Sequence, residues 1–441
     1  MGSEADCCGG SVRRGEVIAI GSELLLGGRP DTNSLFLTEA LAAVGVEVRF
    51  KSVVGDDEAD IMAAIRTASR RAEVVVLTGG LGPTGDDLTR QAVARVTRRL
   101  LRRRAEAVEG MRQRLAAWGR TPSGVQMRQG LIPSGAEVIA NPVGSAPGFC
   151  LTWNRCFLVA LPGVPAEARG MFMAGVVPRL AAERASHRLS VIERRLLHTF
   201  GVAESDIEQR IKNRIPVKSG VRLGLQASPL GVTVSLTASG ERGTLRGENK
   251  GARLLDRVLK DVQTRLGSCV YAEGSETMEQ VVGRLLASRG LTLAVAESCT
   301  GGLIGHRLTQ VPGSSAYLDR VVVCYSDQAK TELLDVPAEL LLRYGAVSEE
   351  VARAMASGIR ARSQASIGVS VTGIAGPGGG TTHKPVGLVF VALDADFSQG
   401  PKRRRNRTRL AQEFRFHGDR DTIKLRASQA TMDVLRRCLI S

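Results

Sequence analysis

Three apolar runs constrain this chain most: Glu16-Val-Ile-Ala-Ile-Gly, Glu73-Val-Val-Val-Leu-Thr and Leu291-Thr-Leu-Ala-Val-Ala. Each is short and lacks the polar alternation of a half-exposed strand. A strand apolar on both sides must be covered on both sides, which is the habit of parallel sheets in α/β folds. Helical spacing fills the gaps, at Ser34 to Val44, Asp57 to Ala72 and from about Asp87, and Val46-Glu-Val-Arg-Phe adds a strand. Phe157-Leu-Val-Ala-Leu-Pro-Gly-Val-Pro-Ala-Glu reads as a later strand entering a turn and helix. The expected class is α/β. Ligands of such sheets bind off the carboxyl ends of the strands, so the residues just after each run are the candidates.

A chain of 441 residues exceeds one ordinary core. Residues 15–175 form the first expected domain, after a disordered 1–14. Residues 190–272 change texture: Val221-Arg-Leu-Gly-Leu-Gln and Gly231-Val-Thr-Val-Ser-Leu-Thr-Ala alternate like half-exposed strands, and a helix follows from Ala252 to Leu266. This is a small α+β module. Glu273-Gly-Ser-Glu reads as a linker, and 276–441 returns to α/β patterning with helices near 277–289, 303–309, 348–362 and 420–439.

No apolar run reaches the 18 or so residues of a membrane helix, and the N-terminus has no apolar h-region of a signal peptide. The eight cysteines (7, 8, 150, 156, 269, 299, 324, 438) form no C-x-x-C pair. That pattern points to reduced thiols in the cytoplasm and away from zinc. A net charge of +16 raises nucleic acid as a partner. The excess, however, lies in arginine runs at 402–409 and at Arg98, Arg99 and Arg102 to Arg104, with no aromatic residues between them. Solvated basic loops are the favoured reading.

Ser298, in Glu-Ser-Cys-Thr-Gly-Gly, and Lys330, ending Cys-Tyr-Ser-Asp-Gln-Ala-Lys, each follow a strand. The plain alternative makes Ser298 a helix N-cap and Lys330 a solvated helix lysine. Against it, Gly301 and Gly302 offer backbone N–H groups for an oxyanion hole. A second glycine loop at 371–380 follows the strand Ile367 to Val371, and Lys384-Pro-Val-Gly-Leu-Val-Phe-Val-Ala gives a strand to return beside it. Cys299 and Thr300 are rival nucleophiles; of the histidines a cysteine would need, His306 lies only seven residues on in the same expected helix, and His383 and His417 occur in no recognisable motif. A Ser–Lys pair acts when the lysine is neutral, and its chemistry is acyl transfer.

Ala296-Glu-Ser-Cys-Thr-Gly-Gly, Tyr325-Ser-Asp-Gln-Ala-Lys, Gly345-Ala-Val-Ser and Thr372-Gly-Ile-Ala-Gly-Pro-Gly-Gly resemble the CinA C-terminal domain. The resemblance implies metal-free hydrolysis of nicotinamide mononucleotide to nicotinate mononucleotide and ammonia. It implies Ser298 as nucleophile, Lys330 as base, and Tyr325 and Arg420 as further catalytic residues. Cys299, Thr300, Gly301, Gly302, Thr372, Gly373 and Gly376 would line the site.

At the other end, Gly79-Gly-Leu-Gly-Pro-Thr-Gly-Asp-Asp satisfies G-x-G-x-x-G at Gly80, Gly82 and Gly85. A dinucleotide site is rejected, because the loop follows about the third strand and Asp86 and Asp87 would repel a pyrophosphate unless a cation intervened. With a divalent ion the carboxylates hold metal and the glycine N–H groups hold phosphate. The plain alternative is a tight turn with Asp86 as N-cap.

Here Gly21-Ser-Glu-Leu-Leu-Leu-Gly, Asp31-Thr-Asn, Val54-Gly-Asp-Asp, Thr78-Gly-Gly-Leu-Gly-Pro-Thr-Gly-Asp-Asp, Asn141-Pro-Val-Gly-Ser-Ala-Pro-Gly and Leu161-Pro-Gly-Val-Pro-Ala-Glu are similar to the CinA N-terminal domain. The likeness implies a three-layer molybdopterin-binding-like fold, a KH-like middle module, and ADP-ribose hydrolysis to AMP and ribose 5-phosphate with a divalent metal and K+. Asp86, Asp87, Glu23, Asp56 and Glu167 become metal candidates. Gly79, Gly80, Gly82, Thr84, Asn33 and Asn141 become substrate candidates. Gln126-Met-Arg-Gln-Gly departs from the family's Asn-x-Arg-Gln-Ala. A homodimer is implied. A nucleotide- or pterin-binding accessory protein of competence or DNA repair is the rival reading.

Overall fold

The computed structural model describes residues 13–187, 191–212, 215, 220–240, 250–397 and 407–440. Of the segment 1–14, only Arg13 and Arg14 are described, and they open the first strand. Cys7, Cys8 and residues 402–406 of the basic run lie outside the described residues.

The first domain runs β1 (Arg13–Ile20), α1 (Thr32–Ala43), β2 (Val46–Val54), α2 (Glu58–Arg71), β3 (Val74–Thr78), α3 (Thr89–Val96), α4 (Ala105–Ala117), β4 (Glu137–Ile139), β5 (Gly148–Trp153), β6 (Cys156–Leu161), α5 (Pro165–Met171) and α6 (Val177–His187). The sheet order is β2-β1-β3-β6-β5-β4. The pairings β1–β2, β1–β3 and β3–β6 are parallel. β5 breaks the expected pattern and runs antiparallel to β6. Trp153 pairs with Cys156, so only Asn154 and Arg155 (φ 49° and 65°) join the two strands. A two-residue connection can only make a hairpin, since a parallel return needs a dozen residues or more.

The continuous apolar runs have partners on both faces. Ile18, Ile20, Val75 and Leu77 meet Ile61, Ile65, Ala92 and Val93 on one side. Val17, Val74, Val76 and Val159 meet Leu37, Leu41, Ala168 and Met171 on the other. Each such side chain contributes about 1.5–3 kcal/mol on burial. Local signals set the helix starts: Asp57 accepts from the N–H groups of Ala59 (2.8 Å) and Asp60 (3.0 Å), and Asp31 accepts from Ser34 (2.9 Å).

The middle module comprises β7 (Val191–Thr199), α7 (Glu204–Ile211), β8 (Val221–Ser228), β9 (Gly231–Gly240), α8 (Lys250–Leu266) and β10 (Val270–Glu273), with sheet order β8-β9-β7-β10.

The last domain comprises α9 (Met278–Arg289), β11 (Leu293–Glu297), α10 (Leu303–Thr309), β12 (Leu318–Val323), α11 (Asp327–Leu334), α12 (Ala338–Tyr344), α13 (Glu349–Ser363), β13 (Ile367–Gly373), β14 (Leu388–Asp396), β15 (Arg407–Arg415) and α14 (Arg420–Ile440). Its sheet order is β12-β11-β13-β14-β15, with β11 lying between β12 and β13 and parallel to both. β14 and β15 return antiparallel. Leu293, Val295 and Val369 pack with Met278, Val282, Ile423 and Ala427, while Ala294 and Ala296 face Leu334, Met355 and Ile359. The carboxyl ends of β11, β12 and β13 share one edge.

Candidate functional site

Ser298 follows β11 at that edge. Its N–H donates to Val371 O (3.0 Å), which pins it to β13, and it is 7% exposed. Its Oγ makes no hydrogen bond among the described residues, so it caps no helix. Glu297 does that work. Its buried carboxylate accepts from the N–H groups of Gly302 (2.9 Å), Ile304 (3.2 Å) and Gly305 (2.8 Å) at the start of α10. A carboxylate closing an otherwise apolar strand is costly unless it is bonded in this way. That was the available signal, and sequence reasoning passed over it.

The expected oxyanion hole is corrected by the same bonds. Gly302 N–H is spent on Glu297, and Gly301 N–H donates to Ser298 O (3.1 Å). Both glycines hold left-handed backbone, φ 61° and 94°, to shape this turn. Among the described residues the Thr300 N–H makes no backbone hydrogen bond, the Cys299 N–H lies against its own thiol, and Thr300 Oγ1 is buried without a partner. The Thr300 N–H is the donor left beside Ser298.

Cys299 is buried in the core, and burial pushes its thiol up to about 12, against the lowering charges of Lys330 and Arg420. A thiol held that high carries little thiolate, which removes Cys299 as the nucleophile. Those two charges reach the residue next to Ser298. Lys330, expected as the base, is 1% exposed. Its ammonium donates to the carbonyls of Cys324 (3.2 Å), Tyr325 (3.2 Å) and Ser326 (3.5 Å) and lies 3.9 Å from Asp327 Oδ1. No bond joins it to Ser298.

Tyr325 follows β12 and is 60% exposed. Its hydroxyl accepts from Arg420 Nη2 (2.9 Å), while Arg420 Nη1 donates to Gly376 O (2.6 Å). Arg420 thus ties the loop after β12 to the glycine loop after β13, where the Gly376–Pro377 bond is cis. Thr372 is buried, with its hydroxyl donating to Ala346 O (2.9 Å). A Cβ on Gly373 would meet Leu388 O at 2.8 Å, so its role is packing against β14. Lys424, missed in the sequence, lies one helical turn after Arg420. Its Nζ is 3.9 Å from where a Cβ on Gly301 would sit.

In the first domain the expected residues also gather at one sheet edge. Asn33 Nδ2 donates to Thr78 Oγ1 (3.0 Å) and Gly163 O (2.7 Å), and its Oδ1 is buried without a partner. Gly79 takes φ 110°, where a Cβ would lie 2.0 Å from Ile20 O. Asp87 accepts from Gly82 N–H (2.6 Å) and from Thr84 N–H (2.8 Å), so it closes its own loop. This corrects the expectation of phosphate held by those N–H groups; the amides of Gly80 and Gly85 are left with no acceptor among the described residues. Arg90, also missed, donates to Leu81 O (2.7 Å) and Gly82 O (2.6 Å), and burial lowers its guanidinium to about 10.

Asp56 accepts from Ser22 N–H (2.8 Å), and Glu167 accepts from Asn141 Nδ2 (2.7 Å), beside a cleft of about 520 Å³ that Asn141 lines. Glu23 and Asp86 are exposed. Among the described residues no three His, Cys, Asp or Glu side chains converge as metal ligands. A magnesium ion held on substrate phosphates needs one or two carboxylates, and Asp86 is exposed with the loop residue Thr84 as its hydrogen-bond partner.

Residues 275–439 match the CinA C-terminal domain, 16–182 the molybdopterin binding domain and 194–272 the damage-inducible protein CinA KH domain. The chain is 42% identical over 429 residues to a CinA-like protein of Geobacter metallireducens, covering 96% of this chain and 99% of that one. It belongs to the CinA family. A competence-damage inducible protein of Halothermothrix orenii is 41% identical over 378 residues, covering 86% of this chain and 89% of that one. A competence/damage inducible protein structure from Agrobacterium tumefaciens is 40% identical, covering 38% of this chain and 98% of that one with a TM-score of 0.34. The CinA chain described here is thus a mixed α/β protein with a molybdopterin-binding-like domain, a KH-like module and a CinA C-terminal domain. No helix among its described residues is long and apolar enough to cross a membrane.

Proposed function

We propose that the C-terminal domain is an amidohydrolase that converts nicotinamide mononucleotide to nicotinate mononucleotide and ammonia. The observation that carries this is Ser298. It is an unbonded hydroxyl at the end of β11, with the Thr300 N–H group making no backbone hydrogen bond beside it. Ser298 Oγ attacks the carboxamide carbon and its proton passes to Lys330 Nζ, which must first be a neutral amine and release one of its three carbonyl contacts. The oxyanion takes the Thr300 N–H group. Collapse expels ammonia with the proton returned from Lys330, and water then hydrolyses the ester. Arg420 and Lys424, one turn apart, suit a substrate that carries a phosphate. Ammonia release should fall by several orders of magnitude in Ser298→Ala and in Lys330→Ala. Unchanged turnover in Ser298→Ala sinks the assignment.

The N-terminal domain is read as an ADP-ribose hydrolase yielding AMP and ribose 5-phosphate. This rests on the glycine loop braced by Asp87 and Arg90 with Asp86 outside it. A divalent ion would neutralise pyrophosphate charge there, with K+ as a second cation. Hydrolysis should vanish with chelator and in Asp86→Ala; persistence in both removes the metal. The same reading has a cytoplasmic homodimer, which light scattering tests. Salt-sensitive binding of DNA without turnover would favour the accessory-protein reading.

A further inference from the structure

The first domain carries a second concave site at the opposite edge of its sheet. Its cleft, of about 720 Å³, lies where α2 and α3 end and the β5–β6 hairpin turns. Arg66, Arg70, Arg95 and Arg98 line it, together with Trp153 and Asn154. Of the four arginines, Arg95 pairs with Glu58 (2.9 Å). Arg66, Arg70 and Arg98 have no ion pair among the described residues.

Arginines in last helical turns ordinarily answer the helix dipole. Two helix ends supply roughly one negative charge together, and Glu58 supplies another. About two positive charges stay uncompensated, a balance that favours a phosphorylated ligand. Two turns shape the rim of this cleft. Five non-glycine described residues have positive φ, and three of them, Arg98 (55°), Asn154 (49°) and Arg155 (65°), sit at or beside this cleft. At Asn154 and Arg155 the two-residue hairpin requires that conformation, and Arg98 takes it where α3 ends. Trp153 is half-buried against the core and presents an aromatic wall.

We infer that this cleft binds a nucleoside diphosphate or a larger phosphorylated nucleotide, with the arginines on the phosphates and the base against Trp153. A cleft of this size takes one small ligand. The arginines converge on it rather than form the long track that a nucleic-acid strand needs. The inference does not depend on either proposed activity.

The chain has two tryptophans, so full-length Trp118→Phe leaves Trp153 as its only indole reporter. Titration with ADP should quench this fluorescence saturably, and adenosine should not. Arg70→Ala and Arg98→Gly should each weaken ADP binding about tenfold. Arg98→Gly suits the left-handed backbone better than arginine does, so its thermal unfolding should be no lower while binding is lost. No saturable quenching by ADP, unchanged affinity in both arginine variants, or tighter binding of a 20-residue oligothymidylate through the same arginines would each overturn the inference.

Discussion

Replacing Glu297 with glutamine tests how the nucleophile turn is held. The carboxylate takes two N–H groups on Oε2 (Gly302, Ile304) and one on Oε1 (Gly305). A glutamine keeps the shape but turns one oxygen into a donor. In its better orientation the NH2 faces Gly305 N–H, losing one charge-assisted bond worth about 1.5–3 kcal/mol. The other two bonds lose their charge and roughly half their strength. The cost is therefore at least about 3 kcal/mol, borne by residues 298–305. Hydrogen–deuterium exchange followed by mass spectrometry of peptides over this segment reads it directly. At about 1.4 kcal/mol per tenfold change, exchange at these amides should speed up on the order of 100-fold. Peptides from α2 in the other domain serve as the internal reference. Exchange unchanged within a factor of three in the 298–305 peptides would refute the idea that Glu297 organises the turn.

Asp394, 1% exposed, gives a pH prediction. Burial raises its carboxyl, but hydrogen bonds from Arg407 and Ser357 and the charges of Arg360 and Arg407 outweigh this and bring it from 3.8 to about 2. A depressed carboxyl stabilises fully above its unfolded value and loses that stability as pH falls through the folded one, so Asp394→Asn should cost about 2 kcal/mol at pH 7. In urea unfolding, the gap to wild type should close between pH 4 and pH 2; a gap independent of pH contradicts it. Cys299 and Cys156, both raised to about 12 by burial, should resist iodoacetamide at pH 8 in the folded chain and react after denaturation, as read by peptide mass. Tyr325→Phe removes the acceptor for Arg420, worth about 1 kcal/mol. It should raise KM for nicotinamide mononucleotide about fivefold without lowering the unfolding midpoint, and an unchanged KM would argue against that contact.

The sequence carried the layer order and most elements, because strands buried on both faces advertise themselves as unbroken apolar runs. The helix expected near 303–309 spans Leu303–Thr309, and that near 420–439 spans Arg420–Ile440. The antiparallel return of β5 was harder to read, since Asn154-Arg155 lacks the glycine that usually marks so tight a turn. At the candidate site the residue types were legible but their bonds were not. Gly301 and Gly302 looked like free donors, yet Ser298 O and Glu297 use both. Asp87 looked like a metal ligand, yet it accepts from its own loop. Hydrogen-bond bookkeeping within ten residues decided those roles, and spacing alone cannot keep it. Arg90 and Lys424 carried no motif at all.

The strand register also fixes where this domain can grow. Gly373 pairs with Val389 at the Ser298 edge, and Asp396 pairs with Arg407 at the far edge. The Asp396–Arg407 pair therefore lies at the end of the sheet away from Ser298. β15 then runs back to deliver Arg420 to Tyr325 and Gly376. The count of residues between Ser298 and Arg420 is thus free to vary, because ladder hydrogen bonds reset the position at that pair. An epitope tag or reporter spliced between Asp396 and Arg407 would leave the Arg420 bridge intact, whereas one residue added between Arg415 and Arg420 would displace it.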